Sequence, residues 1–359
     1  MHSKKLLHLL KKENLLYSSK IISKDFRSIL RNNLAIKKNE KVLLLGDYGL
    51  KQHRLAPIFV SAYAKALDNL NIDYSVFMQK TKTIGMPVEK DVELALKNLD
   101  NKSVIVLVLS NKLGSLKNTS LGKSFRRYVK SKDCRFVSTT SLGCLKTSDL
   151  FKVVKPMNLD LNKLKRKQLE FKKKLDAARE VRILTDKGTD VKFNVQRRYS
   201  ISIDGDYKNY KAGGNLPPGE VYIAPIENKT EGKIVLDGSI RLSWGTVLPK
   251  KPVMLNISKG RVNSIKGGRE AMALKLTLSM AMRKSRVPAN IKVVGELGIG
   301  FNERASILGA MMIDEKAYAT SHIAFGSNYW FGGKNYALGH YDQVFKNPVF
   351  YFDGEEVKY

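Results

Sequence analysis

Short apolar runs alternate with helical patterns in the first half of the chain. Apolar runs of this length are typical of strands in a parallel sheet, which is covered on both faces. The runs are KVLLLG (41–46), IDYSVF (72–77), SVIVLVL (103–109) and CRFVSTT (134–140). Between the first two, residues 54–70 have helical spacing, with Pro57 near the start of the helix. This alternation predicts an α/β N-terminal domain with a doubly wound, mostly parallel sheet.

A basic amphipathic helix is predicted over residues 158–180. Lysines and arginines separate its apolar positions, which lie at Leu161, Leu164, Phe171, Leu175 and Ala178. This spacing indicates one packed stripe beneath a solvated basic face. We assign the helix to the N-terminal domain, residues 1–180, as its link to the following domain.

From residue 181 the pattern changes to strands and turns. The segment VRILTDKGTDVKFNV has two strand-like halves around a glycine turn. Further strand-like segments follow at 220–225, 232–239 and 253–265, and a single clear helix at 270–284. Residues 181–359 are therefore predicted to form an α+β, largely antiparallel catalytic domain.

Length and composition agree with this two-domain organisation. A chain of 359 residues exceeds what one core usually holds. No apolar stretch is long enough to span a bilayer, so no membrane partner is expected. The N-terminus lacks the pattern of a signal peptide, and Cys134 and Cys144 are too few for a disulfide framework. A cytoplasmic location is the expectation.

The charge balance is unusual. Lys and Arg number 64 against 33 Asp and Glu, a net charge of +31. Such a field attracts polyanions. However, the lysines are scattered, whereas a nucleic-acid footprint is usually a patch. Nucleic-acid binding is thus possible but not favoured over a lysine-rich surface without a partner.

The segment LGKS at 121–124 looks like the end of a phosphate-binding loop. The position that should hold the first glycine of such a loop is Lys117. Backbone amides could not cradle a phosphate there, so the segment is interpreted as structural.

The candidate chemistry lies near the C-terminus. His340 and Asp342 are two residues apart, so on a strand their side chains point the same way and could bind one metal ion. This triplet alone is a weak signal, because it arises often by chance. His322 lies in a similar setting of glycines and aromatics.

Two glutamates strengthen the signal. Glu220 follows GGNLPPG and begins an apolar strand, and Glu296 lies in VVGELGIG. A carboxylate in such surroundings is costly unless it is paired or bound to a metal. The alternative is that each glutamate ends a strand and faces water. Together with His322, His340 and Asp342, they could hold two divalent ions.

These segments resemble a known family. GGNLPPGEVYIAPIE, GKIVLDGS, GELGIGFN, DEK, HIAFGSNY, GG and HYD occur in the order found in metal-dependent aminopeptidases of the aminopeptidase T type, the M29 peptidases. The resemblance covers residues 180–359. It implies the metal ligands Glu220, Glu296, His322, His340 and Asp342. It also implies that Glu296 lies between two metal ions, that Tyr329 lines the site, and that the protein is a homodimer.

The resemblance implies an aminopeptidase that hydrolyses the N-terminal peptide bond of short peptides. Two divalent ions (Zn, Co, Mn or Mg) would deprotonate a water molecule. Tyr329 would hydrogen-bond the oxyanion, although packing beside Trp330 is its alternative role. Glu296 could carry a proton to the leaving amine. Glu315 of DEK would support a ligand or form a salt bridge.

Two other functions stay open. Some relatives of these peptidases are non-haem iron(II) ring-cleaving dioxygenases of dihydroxypyridines, which use two histidines and one carboxylate. His322, His340 and Asp342 would serve, but one iron does not need Glu220 and Glu296. The other alternative is a polyanion-binding protein with a peptidase-like fold.

Overall fold

The computed structural model describes residues 2–83, 86–116 and 125–359. The LGKS segment at 121–124, interpreted above as structural, lies outside these ranges. Within the described residues, no helix is long and apolar enough to cross a bilayer.

The chain divides into two units, each made of two pieces of sequence. The first unit combines Met1–Leu161 with Gly205–Pro218. The second combines Asn162–Asp204 with Gly219–Tyr359. This division differs from the expected boundary at residue 180, because the basic helix belongs to the second unit and residues 205–218 return to the first.

The first unit contains six helices and five strands among its described residues. The helices are α1 (His2–Lys12), α2 (Leu16–Asn32), α3 (Leu55–Asp68), α4 (Lys90–Lys97), α5 (Phe125–Ser131) and α6 (Leu150–Val154). The strands are β1 (Val42–Asp47), β2 (Tyr74–Gln79), β3 (Val104–Val108), β4 (Arg135–Thr139) and β8 (Gly213–Asn215).

All strand pairs of the first sheet are parallel, in the order β2-β1-β3-β4-β8. Strands β1, β3 and β4 are buried along their whole length. Their continuous apolar runs follow from this burial on both faces. The predicted α/β class of the N-terminal part is confirmed.

Strand β8 brings residues 205–218 into the first sheet. A Cβ at Gly213 would lie 2.2 Å from the ring of Phe136, and one at Gly214 would lie 2.6 Å from the hydroxyl of Tyr207. The strand therefore needs glycine for close approach. Because two of its three residues are glycines, β8 has no apolar side-chain pattern by which a strand could be predicted.

The second unit contains three helices and fourteen strands. Its helices are α7 (Leu161–Ala177), α8 (Arg269–Lys284) and α9 (Met311–Asp314). Its strands are β5 (Glu180–Leu184), β6 (Asp190–Asn194), β7 (Ile201–Ile203), β9 (Glu220–Ile223), β10 (Thr230–Leu236), β11 (Ile240–Leu242), β12 (Gly245–Val247), β13 (Val253–Ser258), β14 (Arg261–Lys266), β15 (Val294–Gly300), β16 (Thr320–Gly326), β17 (His340–Lys346), β18 (Val349–Phe352) and β19 (Glu355–Val357).

These strands form two seven-stranded antiparallel sheets. One has the order β14-β13-β10-β6-β5-β18-β19, and the other β12-β11-β17-β16-β15-β9-β7. The α+β, largely antiparallel class predicted for the C-terminal part is confirmed. The second of these sheets carries the candidate site, and we refer to it as the site sheet.

Helix α7 belongs to the second unit because of its aromatic contacts. Phe171 packs edge-on against Phe301 at 5.3 Å and against Phe350 at 5.6 Å between ring centroids. It also contacts Phe352 and Tyr359. The apolar stripe predicted from the sequence is present on α7. It packs against the second unit, so the helix is part of that unit and not a link that leads into it.

Candidate metal centre

The five predicted metal ligands lie on one face of the site sheet. Strand register pairs Glu296 with Ala324 and Ala324 with Asp342, so these three positions form one row across β15, β16 and β17. His322 and His340 are each two residues from this row on their strands. Because side chains alternate along a strand, both histidines share the face of Glu296 and Asp342.

Glu220 reaches the same face from the first position of β9. It pairs with Gly300 of β15, and Gly300 is four residues from Glu296. The even spacing keeps Glu220 on the side of Glu296. Its main-chain carbonyl accepts a hydrogen bond of 3.0 Å from the buried amide of Gln168. The start of β9 is thus fixed by α7.

The side chains meet at short distances. Glu296 joins the two histidines, with Oε1 at 3.1 Å from Nε2 of His322 and Oε2 at 3.1 Å from Nε2 of His340. Nε2 of His340 is also 3.1 Å from Oδ1 of Asp342. Nε2 of His322 lies 3.8 Å from Oε2 of Glu220. Both imidazoles therefore aim the same nitrogen at carboxylates.

The other ring nitrogens differ in their environment. Nδ1 of His340 lies 2.9 Å from the carbonyl oxygen of Ser327, which can only accept, so Nδ1 carries a proton and Nε2 is the nitrogen left for a metal ion. This is the backing that metal-bound histidines usually have. Nδ1 of His322 is buried without a hydrogen-bond partner among the described residues.

Charge in the site favours a cation between the ligands. Burial lowers the pKa of His322, but the hydrogen bond and charge of Glu296 outweigh it and raise that pKa to about 9. Burial also opposes a rise at His340, yet Asp342 and Glu296 bring its pKa well above the ordinary value. Each Nε2 thus favours a positive charge beside it, either a proton or a metal ion.

The carboxylates show the reciprocal effect. Burial would raise the pKa of Glu296, but His340 and His322 hold it below its usual value. Burial would likewise raise the pKa of Asp342, and His340 holds it well below its usual range. Both groups are therefore ionised at neutral pH and available as donors to a metal ion.

The sequence did not single out Lys316, which lies in the centre. Its side chain is fully buried, with Nζ 2.7 Å from Oε1 of Glu220 and in an ion pair with Glu315. Burial lowers the pKa of Lys316, but Glu220 and Glu315 keep it above its usual value. Burial raises the pKa of Glu315 to about 8, against the opposing charge of Lys316.

Two donor groups capable of holding a metal ion share His322. One set contains Glu296, His322 and Asp342, and the other, called here the glutamate group, contains Glu220, Glu315 and His322. In each set the donor atoms lie within 4.8 Å of one another. His340 is in neither set, but its Nε2 lies 3.1 Å from both Glu296 and Asp342, and Glu296, His322, His340 and Asp342 are together called here the iron group. Carboxylate oxygens and imidazole nitrogens suit a divalent ion, so these residues fit a metal centre.

Tyr329, the predicted oxyanion donor, lies in a short 3₁₀ turn over Tyr329–Phe331 and is about half exposed. Its ring packs against Trp330 and Tyr336, at 5.4 and 4.6 Å. Trp330 instead contacts the imidazole of His340, with centroids 5.3 Å apart. Phe331 contacts the same imidazole at 6.1 Å. Aromatic rings thus border the metal-binding side chains.

Comparison with known proteins distinguishes the alternatives. The model of the NicX family, 2,5-dihydroxypyridine 5,6-dioxygenase, matches residues 32–358. A search of curated protein sequences finds no match. The structure of a 2,5-dihydroxypyridine dioxygenase from Pseudomonas putida KT2440 superposes with a TM-score of 0.71 at 18% identity, covering 94% of this chain and 95% of that one.

A second solved structure, AmpT from Thermus thermophilus, superposes with a TM-score of 0.61 at 14% identity. It covers 94% of this chain and 99% of that one. At such identities both likenesses describe the fold alone. The α/β part followed by antiparallel sheets is common to all three chains.

The expected assignment to the M29 peptidases is wrong, because the family model that covers most of the chain is that of a dioxygenase. The hydrolase, aminopeptidase and protease expectations fail with it. The residues that suggested them form donor sets that could hold a metal ion, and one fold can host different reactions.

Proposed function

Since the chain belongs to the NicX family, we propose that it is a non-haem iron(II) dioxygenase that opens the ring of a dihydroxypyridine. The observation that carries the proposal is the meeting of two imidazoles and a carboxylate on one sheet face. His322, His340 and Asp342 supply the two nitrogens and one oxygen that non-haem iron oxygenases use. These three residues would hold an iron(II) ion.

One iron replaces the two zinc-like ions expected from the peptidase resemblance. A bound iron(II) ion supplies the oxygen chemistry that amino-acid side chains lack. The chain itself supplies orientation, through the carbonyl of Ser327 that holds the ring of His340. It also supplies a fully buried imidazole at His322.

Glu296 fits the role of proton acceptor. Its carboxylate oxygens lie 3.1 Å from Nε2 of His322 and from Nε2 of His340, so they border the proposed ligand atoms. A substrate hydroxyl group that binds in the iron group can transfer its proton to an oxygen of Glu296. Deprotonation makes the ring more electron-rich, which favours its oxidation.

Glu220 no longer argues against a single iron. Its Oε1 is already bonded to the ammonium group of Lys316 at 2.7 Å. The carboxylate is therefore neutralised by the protein and needs no second metal ion.

The aromatic border of the centre supports an aromatic substrate. Trp330 and Phe331 pack edge-on against His340, and Trp330 is half exposed. A planar heterocycle can stack on such rings, which favours it over an extended peptide.

Oxygen uptake tests this function. Protein loaded with iron(II) under anaerobic conditions is mixed with 2,5-dihydroxypyridine and oxygen, and both reactants are followed. We expect wild-type protein to consume both, and His340→Ala to be slower by about 100-fold or more, because a metal ligand is lost. His53→Ala is the control, since His53 bonds the carbonyl of Leu145 in the first unit. Iron-loaded wild-type protein that consumes neither reactant would refute the proposal.

A further inference from the structure

Lys316 is a fully buried ammonium group that serves two carboxylates. Its Nζ lies 2.7 Å from Oε1 of Glu220 and pairs with Glu315. Its backbone is fixed too, because its carbonyl accepts a 2.8 Å hydrogen bond from the amide of Asn302. A lysine is rarely buried in full, and a buried charge requires compensation. The position of this ammonium group is therefore set by the fold.

The glutamate group is where a second metal ion would have to bind. It shares His322 with the iron group and adds Glu220 and Glu315. Both of those carboxylates are bonded to Lys316. A divalent ion there would have to compete with the ammonium group for the same oxygens. It would also lie beside a positive charge in a buried, weakly screened environment.

We propose that Lys316 takes the place of a second metal ion and so restricts this centre to one ion in the iron group. This inference rests on the proposed one-iron function and explains how a centre with four carboxylates and two histidines avoids becoming a two-metal site. Two-metal sites bind and activate water between their ions. An internal cation removes that possibility and leaves a single ion with open positions.

Glu220 is held without help from a metal ion. Its side chain is bonded to Lys316, and its carbonyl is bonded to Gln168. The proposal therefore assigns Glu220 as a partner of lysine rather than a metal ligand. Lys316 is accordingly a positioning residue that acts on the metal count and does not touch the substrate.

Metal stoichiometry is the test, with manganese(II) as a redox-stable substitute for iron(II). Wild-type protein, Lys316→Met and Lys316→Gln are saturated with manganese(II), freed of excess metal by gel filtration, and analysed for metal per chain. We expect one ion in wild-type protein and two in the variants. Lys82→Met is the matched control, because Lys82 is also buried and paired, with Glu89 at 3.1 Å in the first unit. It should retain one ion.

Two results would overturn the proposal. One is a wild-type chain that binds a second ion in the glutamate group. The other is folded Lys316 variants that still bind one ion. If neither variant folds, the Glu220→Gln variant, which keeps Lys316, tests the proposal instead. We expect it to bind one manganese(II) ion with the affinity of wild-type protein. An affinity lower by about tenfold or more would make Glu220 a ligand and refute the proposal.

These readouts separate the inference from the proposed function. One ion in wild-type protein and two in the variants, without oxygen uptake by the iron-loaded wild-type protein, would support the inference and refute the dioxygenase. Two ions in wild-type protein that does consume oxygen would refute the inference alone.

Discussion

At the scale of single residues, small side chains allow the metal-binding groups to meet. Gly298 lies opposite His322 across β15 and β16, and a Cβ there would lie 2.1 Å from Nε2 of His322. Ala324 lies between Glu296 and Asp342 in the same row of the site sheet. Larger residues at these places would push the donors apart.

Gly298→Ala is therefore expected to displace the imidazole of His322. We expect the affinity for manganese(II) to fall by about tenfold or more, because a ligand leaves its position. The backbone at Gly298 is not left-handed, so the cost is steric and not conformational. Calorimetric titration measures the affinity, and circular dichroism checks the fold.

Gly245→Ala is the control for this substitution. Gly245 also lies in a strand of the site sheet, but a Cβ there would have nothing within 4 Å. The affinity of the Gly245→Ala variant for manganese(II) should equal that of wild-type protein. Equal affinities for both variants would show that His322 does not bind the metal.

Sequence could single out the candidate metal ligands but not Lys316. Histidine is scarce in this chain, and Glu220 and Glu296 stand out by their glycine-flanked apolar surroundings. A buried lysine gives no such signal, because it is one of 64 Lys and Arg residues. The structure identifies Lys316 by its full burial just after α9 and by its ion pairs with Glu220 and Glu315.

At the scale of elements, hydrophobic pattern predicted the parallel strands β1 to β4 and the helices α3, α7 and α8, but not how the chain assigns its elements to units. The stripe on α7 is visible in sequence, whereas its partners Phe301 and Phe350 lie far along the chain. Strand β8 was missed because Gly213 and Gly214 meet neighbouring rings and carry no side chain. Both errors concern long-range packing, which local pattern does not contain.

Phe171→Ala tests the packing of α7. Phe171 is 2% exposed and contacts four aromatic rings. Its truncation should lower the free energy of unfolding by about 3–5 kcal/mol. Denaturant titration measures the change. Phe151→Ala is the control, because Phe151 is 60% exposed and its loss should cost little. Equal effects would mean that α7 does not depend on this cluster.

At the scale of the whole molecule, the fold does not determine the reaction. The solved structures of a 2,5-dihydroxypyridine dioxygenase and of AmpT share this architecture with the chain, and one fold can host different reactions. That is why the sequence predicted the fold class but assigned the wrong chemistry. The proposed reaction uses two features of this centre, the buried charge of Lys316 and the aromatic border around His340.

Stability should depend on pH through a buried ion pair of the first unit. Arg135 is 2% exposed and bonds both carboxylate oxygens of Glu40 at 2.7 Å. Burial would raise the pKa of Glu40, but Arg135 holds it below its ordinary value. The stabilisation is thus full above the unfolded pKa of about 4.3 and is lost as pH falls through the folded pKa.

Glu40→Gln should lower the free energy of unfolding at pH 7 by about 3–5 kcal/mol, since it leaves Arg135 buried and unpaired. The difference from wild-type protein should shrink as pH falls below about 4. Denaturant titration across pH measures it. Asp100→Asn is the control, because the pair of Asp100 with Lys41 is exposed. A difference that does not change with pH would contradict this account.

The net charge of +31 leaves polyanion binding as a prediction. If this binding occurs, its affinity should fall steeply with salt, because bound counterions are released from the polyanion. His340→Ala should not change it. Filter binding of a labelled oligonucleotide at increasing salt measures the slope, and binding that needs His340 would place the polyanion at the metal centre instead.

The central claim is that one iron held by His322, His340 and Asp342 opens a dihydroxypyridine ring with oxygen. Iron-loaded protein should be supplied with 2,5-dihydroxypyridine and ¹⁸O₂, and the product analysed by mass spectrometry. The account predicts a ring-opened product that carries both atoms of the labelled oxygen molecule. A product whose new oxygen comes from water, or substrate recovered unchanged from protein with its iron in place, would contradict it.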